Sequence, residues 1–320
     1  MSGRLIRPSE NGLYCEAANT YLDPHSTVES AVVSHGHADH AAVDSESLHA
    51  TSTTGTIVEH RYDHDPITHD YGERFDIDGV RFSFHPANHI RGSAMILVEH
   101  DGERWLYTGD YKAAEDPTTE SREVPSCDTI ITESTFALPI YQWRDPSRVI
   151  DDLVDWVNSL GDETTILYAY SLGKAQRLLM ELSQAGVEKQ IYVHGSVKAM
   201  NEAYRETGCD IPRFETADLR SDAYEEGIVV APQSIRESTT VQRLKNKKTA
   251  MISGWMRVRG NQRWRGYDNG FALSDHCDWQ GLVDTIKTSG AEHVIVNHGY
   301  TEAFASYLTN NGWDAEAWDI

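Results

Sequence analysis

Short apolar runs alternate with helical periodicity along most of the chain. Residues 30–34, 79–84, 94–99, 104–108, 128–132, 165–169, 190–193, 227–231, 249–253 and 293–297 are rich in β-branched and aromatic residues and are predicted strands. The Asp101-Gly102 pair between the third and fourth of these predicts a hairpin turn. In 147–159, 173–185, 196–207, 280–289 and 301–311 apolar residues recur at three and four, the spacing of a helix with one buried face. Strands and helices mixed in this way predict an α/β protein. No internal repeat, heptad run or low-complexity stretch interrupts the pattern, which excludes solenoids and coiled coils.

Polar residues that follow the strands add chemistry. His35 follows the first strand, Asp110 closes "RWLYTGD", Glu133 closes "DTIITES" and His298 closes "HVIVNHG". Residues just past strand ends share one rim, so loops there can gather distant positions into one site. His35, His37, Asp39 and His40 place four strong metal ligands within six residues. Along an extended loop His35 and His37 point the same way and suit one ion, while Asp39 and His40 begin the next turn and suit a second. His89 in "FHPANHIRGSA", Asp110, whose carboxylate suits a bridge, and His298 ahead of a glycine complete two coordination spheres. Imidazole and carboxylate donors without sulfur suit two divalent metal ions, Zn²⁺ first and Mn²⁺ as the alternative.

Composition narrows the partners. The chain has 320 residues, 39% of them apolar, which is ordinary for a globular core. Cys15, Cys127, Cys209 and Cys277 are far apart with no C-x-x-C pair, which excludes a thiolate zinc finger and a dithiol redox motif. A formal charge of −22 argues against gripping nucleic acid through overall basicity. It leaves room for a local track, "WMRVRGNQRWRG" at 255–266, where Trp255 and Trp264 with Arg257, Arg259, Arg263 and Arg265 combine stacking rings and backbone-tracking charge. Ser171, Lys174 and Arg177 lie around a strand-to-helix turn that suits a flanking phosphate, and His194, Ser253 and Gly254 stand at strand ends as further phosphate contacts, with Arg257 beside them. No run approaches the ~18 apolar residues of a membrane span and the first residues have no apolar signal region, so a soluble cytoplasmic protein without a membrane partner is expected. The interval between Glu133 and His276 has strands near 165, 190 and 227 and reads as its own small α/β unit. An insertion there makes the catalytic domain discontinuous, 1–140 plus 249–320, with a cap at 141–248.

"SHGHADH", "PANHIRGSA" and "YTGDYK", in that order, resemble the sequential motifs of the metallo-β-lactamase superfamily. "TEST" at 132–135, "SLGKAQRLL" at 171–179, "LSDHCDW" at 273–279 and "VNHG" at 296–299 resemble the further motifs of its nucleic-acid-processing branch, the β-CASP nucleases. The likeness runs from about residue 30 to 305, and "SGWMRVRG...GFALSDHCDW" is most similar to the bacterial ligase-associated DNA exonucleases. The resemblance implies that His35, His37 and His89 hold one metal, Asp39, His40 and His298 the other, and Asp110 both. It pairs Glu133 with His276, making His276 the proton donor to the leaving oxygen, and sets Asp39 beside them among the catalytic residues. It also implies a four-layer αββα sandwich carrying a β-CASP α/β cap. The implied activity is two-metal DNA exonuclease action on single strands or frayed ends during repair, with a DNA ligase as partner. An RNA-processing nuclease of the same branch and a small-molecule metallo-hydrolase are the competing expectations, and the ligands do not decide among them.

Overall fold

The computed structural model describes residues 4–41, 44–217, 226–258 and 266–318. The chain divides into two compact units, Met1–Gln142 with His276–Ile320, and Trp143–Asp275. In the first unit β1 (Arg7–Ser9), β2 (Gly12–Cys15), β3 (Thr20–Leu22), β4 (Ser30–Val32), β5 (Ser47–Thr51) and β6 (Ile67–His69) form a sheet in chain order. Its pairing is antiparallel up to β3 and parallel from there on. A second sheet takes β7 (Arg74–Ile77), β8 (Val80–Pro86), β9 (Ala94–His100), β10 (Glu103–Tyr107) and β11 (Thr129–Ser134), then the last two strands, β18 (His293–Gly299) and β19 (Asp314–Trp318). Its order is β19-β18-β11-β10-β9-β8-β7. The predicted hairpin joins β9 to β10, with Asp101 and Gly102 both at positive φ, as a tight turn between twisted strands requires.

The second sheet is apolar on both faces. Phe82, Phe84, Ile96, Val98, Ile131 and Ile295 pack with Leu13, Leu22 and Val32 of the first sheet. Met95, Leu97, Leu106, Ile130, Val294 and Val296 pack with Leu282, Val283 and Ile286 of the helix Trp279–Ser289 and Phe304 and Leu308 of the helix Thr301–Asn310. Ala31, Val33 and Ala50 bury the far face of the first sheet with Val58 of the helix Ser52–Tyr62. Helix, sheet, sheet and helix therefore stack in that order, and each fully buried Leu, Ile or Phe contributes roughly 1.5–3 kcal/mol. Double burial also explains why β9 and β18 carry continuous apolar runs, at 94–98 and 294–296, rather than alternating ones.

In the second unit β12 (Thr164–Tyr168), β13 (Ile191–Val193), β14 (Glu215–Thr216), β15 (Ile228–Ala231), β16 (Lys247–Ile252) and β17 (Asn269–Phe271) form a parallel sheet, order β14-β13-β15-β12-β16-β17. The helices Pro146–Ser159, Lys174–Gln184 and Gly195–Glu206 belong to this unit. The sequence predicts the strand at 249–253 but assigns it to the catalytic domain. It instead pairs with β12 from Thr164↔Lys247 to Tyr168↔Met251, so the second unit runs on past 248 to Asp275. Among the described residues, no helix is long and apolar enough to cross a membrane.

Candidate metal centre and its proton donor

β4 continues past its last paired residue into Val33-Ser34-His35, because the Val33 amide donates to the His49 carbonyl (2.9 Å) and the Ala94 amide to the Ser34 carbonyl (2.8 Å). Gly109, at φ 50, backs directly onto this loop, where a Cβ would lie 2.6 Å from Ser34 Cβ. The rims of the two sheets are thus locked together at the site. A single helical turn, Ala38–Ala41, then carries Asp39 and His40. His89 is presented by a tight loop in which the Ser93 hydroxyl accepts from the amides of His89 (2.9 Å) and Ile90 (3.3 Å).

His35, His37, His89 and Asp110 each bring a ligand atom within 4.8 Å of the others. His37 Nδ1 lies 3.0 Å from His35 Nε2 and 3.1 Å from His89 Nε2. A single proton on His37 Nδ1 serves only one of those two nitrogens, whereas a cation among the three rings satisfies all of them. The donor set therefore fits a divalent metal. Asp110 Oδ2 stands 3.7 Å from His35 Nε2, 3.7 Å from His40 Nε2 and 3.6 Å from His89 Nε2, reaching both halves of the histidine cluster as the bridging expectation requires. Burial, then the neighbouring imidazoles, push His35 well below the ordinary histidine range, so its ring is neutral and able to ligate. Burial also opposes charge on His40, but the Asp23 and Asp110 carboxylates outweigh it and raise that ring to about 10.

The second ligand set is gathered less completely. Asp39 is exposed, with Oδ2 3.9 Å from His40 Nε2. His298 is exposed at φ 55, the extra residue of a bulge between Glu133↔Asn297 and Ser134↔Gly299, a device that re-aims a side chain. Among the described residues, no grouping within 4.8 Å includes Asp39 or His298, and the set around His40 contains Asp23 and His35 instead.

Asp23 is a residue that sequence reasoning misses. It is buried and accepts from the Ser34 amide (2.7 Å), the Ser34 hydroxyl (2.5 Å), the Tyr107 hydroxyl (2.9 Å) and His40 Nδ1 (2.6 Å). A carboxylate on the far nitrogen of a ligating histidine fixes its tautomer and orientation. The only cue in the sequence is an Asp-Pro pair closing an apolar run, which reads as an ordinary turn.

Glu133 and His276, 143 positions apart, meet with His276 Nδ1 3.0 Å from each Glu133 oxygen. The backbone of Tyr111 holds both partners, its N–H donating to Glu133 Oε1 (3.0 Å) and its carbonyl accepting from the Cys277 amide (2.8 Å). Burial works against charge on Glu133, but His276 and the Thr135 and Tyr111 hydrogen bonds hold it below the usual carboxylate range. The His276 ring packs against the His89 ring, centroids 4.7 Å apart, and Asp110, Glu133 and His276 share a third grouping within 4.8 Å.

No protein-family model matches the chain. It is 32% identical over 317 residues to a protein of Opitutus terrae named probable DNA ligase, covering 97% of this chain and 30% of that protein. It is 28% identical over 224 residues to the endoribonuclease YSH1 of Kluyveromyces lactis, 56% of this chain and 29% of the relative. With cleavage and polyadenylation specificity factor 73 of Drosophila melanogaster it shares 36% over 120 residues, 37% of this chain and 17% of the relative. The chain belongs to the β-CASP branch of the metallo-β-lactamase superfamily. It spans less than a third of the length of each of these relatives. A solved structure of a protein of unknown function from Enterococcus faecalis V583 superposes with a TM-score of 0.60 at 12% identity over 92% of this β-CASP chain and 79% of its own, a likeness of fold alone.

The remaining expected contacts of this β-CASP chain lie in the second unit. Ser171 Oγ is 2.9 Å from Ser196 Oγ, and His194 Nδ1 caps the helix Gly195–Glu206 by accepting from the Ser196 amide (3.2 Å). Ser253 caps the short turn Gly254–Arg257, where Gly254 is buried and Arg257 exposed. All stand at carboxyl ends of parallel strands, where open α/β sheets bind ligands. Lys174 departs from expectation. The sequence predicts a phosphate contact, yet its ammonium is buried on Asp275 Oδ1 at 2.7 Å because the helix turns that residue inward. Arg177 lies beside it, donating to the Ser274 carbonyl at 2.9 Å and facing Asp275. Trp255 is half-buried, and Arg259, Arg263, Trp264 and Arg265 lie outside the described residues.

Proposed function

We propose that the chain is a two-metal DNA exonuclease that hydrolyses phosphodiester bonds at single-stranded or frayed ends, working beside a DNA ligase in repair within the cytoplasm. One observation carries this reading: Asp110, Glu133 and His276 converge within 4.8 Å on the rim where His35, His37 and His89 also converge, so metal ligands and a histidine–carboxylate pair address the same space. A hydrolase for small thioesters or lactams has no need of that second pair. The ligase-named relative, matched over 97% of this chain, supports DNA as substrate and a ligase as partner.

His35, His37, His89 and Asp110 would hold one ion, and Asp39, His40 and His298 would hold the other, with Asp110 contributing to both. Zn²⁺ is the expected metal and Mn²⁺ the alternative. Such cations, when bound, supply Lewis acidity toward water and the phosphoryl oxygens. His276 delivers a proton from Nε2 to the departing sugar oxygen, while the Glu133 carboxylate on Nδ1 fixes the ring and stabilises its charged form. Asp39, the most exposed acid of the cluster, orients the attacking water as its acceptor. Ser171, His194, Ser253, Gly254 and Arg257 hold the sugar–phosphate backbone in the inserted cap unit. Lys174 is not among them.

The endoribonuclease name of the Kluyveromyces lactis relative favours a second reading, an RNA-processing nuclease. Matched DNA and RNA strands, labelled at one end at a time and incubated with Zn²⁺ or Mn²⁺, separate the two. Progressive shortening of DNA from one end, abolished by a chelator, is expected. Cleavage confined to RNA, or undiminished cleavage after metal removal, would overturn the proposal.

A further inference from the structure

The hydroxyl of Ser34 has one proton, and the geometry says where it goes. Ser34 Oγ is 2.5 Å from Asp23 Oδ2, a carboxylate oxygen that can only accept. Toward His35 Nδ1, 2.9 Å away, the same hydroxyl must therefore act as acceptor. The proton on the neutral His35 ring then sits on Nδ1, and Nε2 keeps its lone pair. Nε2 is the nitrogen that faces His37 and Asp110. His40 shows the direct version of the same arrangement, with Nδ1 on Asp23 Oδ2 at 2.6 Å and Nε2 turned toward Asp110.

We propose that Ser34 is a positioning residue, a hydroxyl relay through which the one buried carboxylate of Asp23 sets the tautomer of His35 while it directly holds the ring of His40 at Nδ1. Oδ2 of Asp23 thereby aims ligands assigned to each of the two cations. Two features keep the relay in place. The Ser34 amide donates to the other Asp23 oxygen at 2.7 Å, so the side chain and backbone of one residue clasp both oxygens. Gly109 packs against Ser34 Cβ and Oγ so closely that any side chain at 109 would displace the hydroxyl. Tyr107 also donates to Oδ2, at 2.9 Å, but touches neither ring nitrogen, which makes it a built-in control.

The inference rests on the metal-centre reading for its purpose, but its test begins in metal-free protein. Ring-nitrogen NMR of histidine-labelled wild type should show His35 protonated at Nδ1. Ser34→Ala should shift His35 toward the Nε2–H form, and chelator competition should show metal affinity falling by about 10- to 100-fold, as loss of such an outer partner typically does. Tyr107→Phe should leave the His35 tautomer unchanged, and circular dichroism checks that both variants are folded. A wild-type His35 protonated at Nε2, or a folded Ser34→Ala protein with the wild-type tautomer and affinity, would overturn the relay. Wild type that takes up no divalent metal would instead sink the functional proposal, and the tautomer would still decide the role of Ser34.

Discussion

At the rim of the first unit, the polar side chains that follow β4 and β10, with those of the loop after β8, turn ligand atoms toward one another. Three imidazole nitrogens and a carboxylate oxygen converge there, and the protons of the rings His35 and His40 are drawn outward to Ser34 and Asp23. At the carboxyl edge of the second unit's sheet, the polar side chains after β12, β13 and β16 are satisfied within the fold. Ser171 meets Ser196, His194 and Ser253 cap helical turns, and Lys174 and Arg177 are buried with Asp275. A polar residue past a strand end is the same cue in both places. What differs is how these groups are answered: on the first rim they converge into a set that could hold a metal ion, and on the second they turn to neighbouring side chains and helix ends.

The sharpest way to break that contrast is to remove the charge both halves of the metal cluster share. Asp110→Asn should reduce the binding of both cations by at least about 100-fold, beyond the typical effect of an outer partner, as read by metal analysis after dialysis. A variant with one fully occupied site and normal hydrolysis would deny Asp110 its bridging role. Next in size is His276→Ala, which should retain metal but lose about 10²- to 10⁴-fold in turnover, the usual contribution of a positioned proton donor. Loss of metal together with activity would make His276 a ligand rather than an acid.

On the second rim the comparison predicts a loss of stability instead. The Lys174 and Asp275 side chains are 3% and 8% exposed, and breaking a buried pair by removing one partner costs about 3–5 kcal/mol. Lys174→Met should therefore lower the urea midpoint strongly while leaving KM for an oligonucleotide unchanged wherever the protein remains folded. A raised KM with unchanged stability would return Lys174 to the substrate.

How much of this was legible beforehand follows the same divide. The ten predicted strands and five predicted helices all form, because apolar periodicity is a local signal that burial on one or both faces enforces. Ser52–Tyr62 escaped notice because "STTGTIVEHRY" has no apolar stripe; it is held by the Thr51 cap and by small buried residues at Thr54 and Gly55. Strands β1, β6, β14 and β17, of two or three residues each, offer too few residues to show a period. The convergence of His35, His37, His89 and Asp110 into one cluster was legible from residue type and from their places after strands. Asp23 and Ser34 were not, since a carboxylate that serves a ligand and one that caps a turn are the same letter. The inward turn of Lys174 was hidden for a related reason: its partner Asp275 is about a hundred residues distant, and no local pattern reports a tertiary ion pair.

The smallest expected effect discriminates most finely, because His194 belongs to both descriptions at once. Its neutral Nδ1 accepts from the Ser196 amide and lies 2.9 Å from the Ser196 hydroxyl, and burial keeps its pKa below the ordinary histidine value. Protonation would remove the acceptor and set a positive charge at a helix N-terminus, which is unfavourable. The cap therefore contributes fully above the unfolded-state pKa of about 6.5 and is lost as the pH falls below it toward the depressed folded value. His194→Ala should cost about 1 kcal/mol near neutral pH, as loss of an N-cap does, and the gap from wild type should narrow in acid. A gap that ignores pH would remove the imidazole from the cap. His194→Asn restores a capping oxygen without the ring, so if stability returns while oligonucleotide affinity stays low, the imidazole touches nucleic acid as well. If both return, His194 belongs with Lys174 among the groups that the fold keeps for itself.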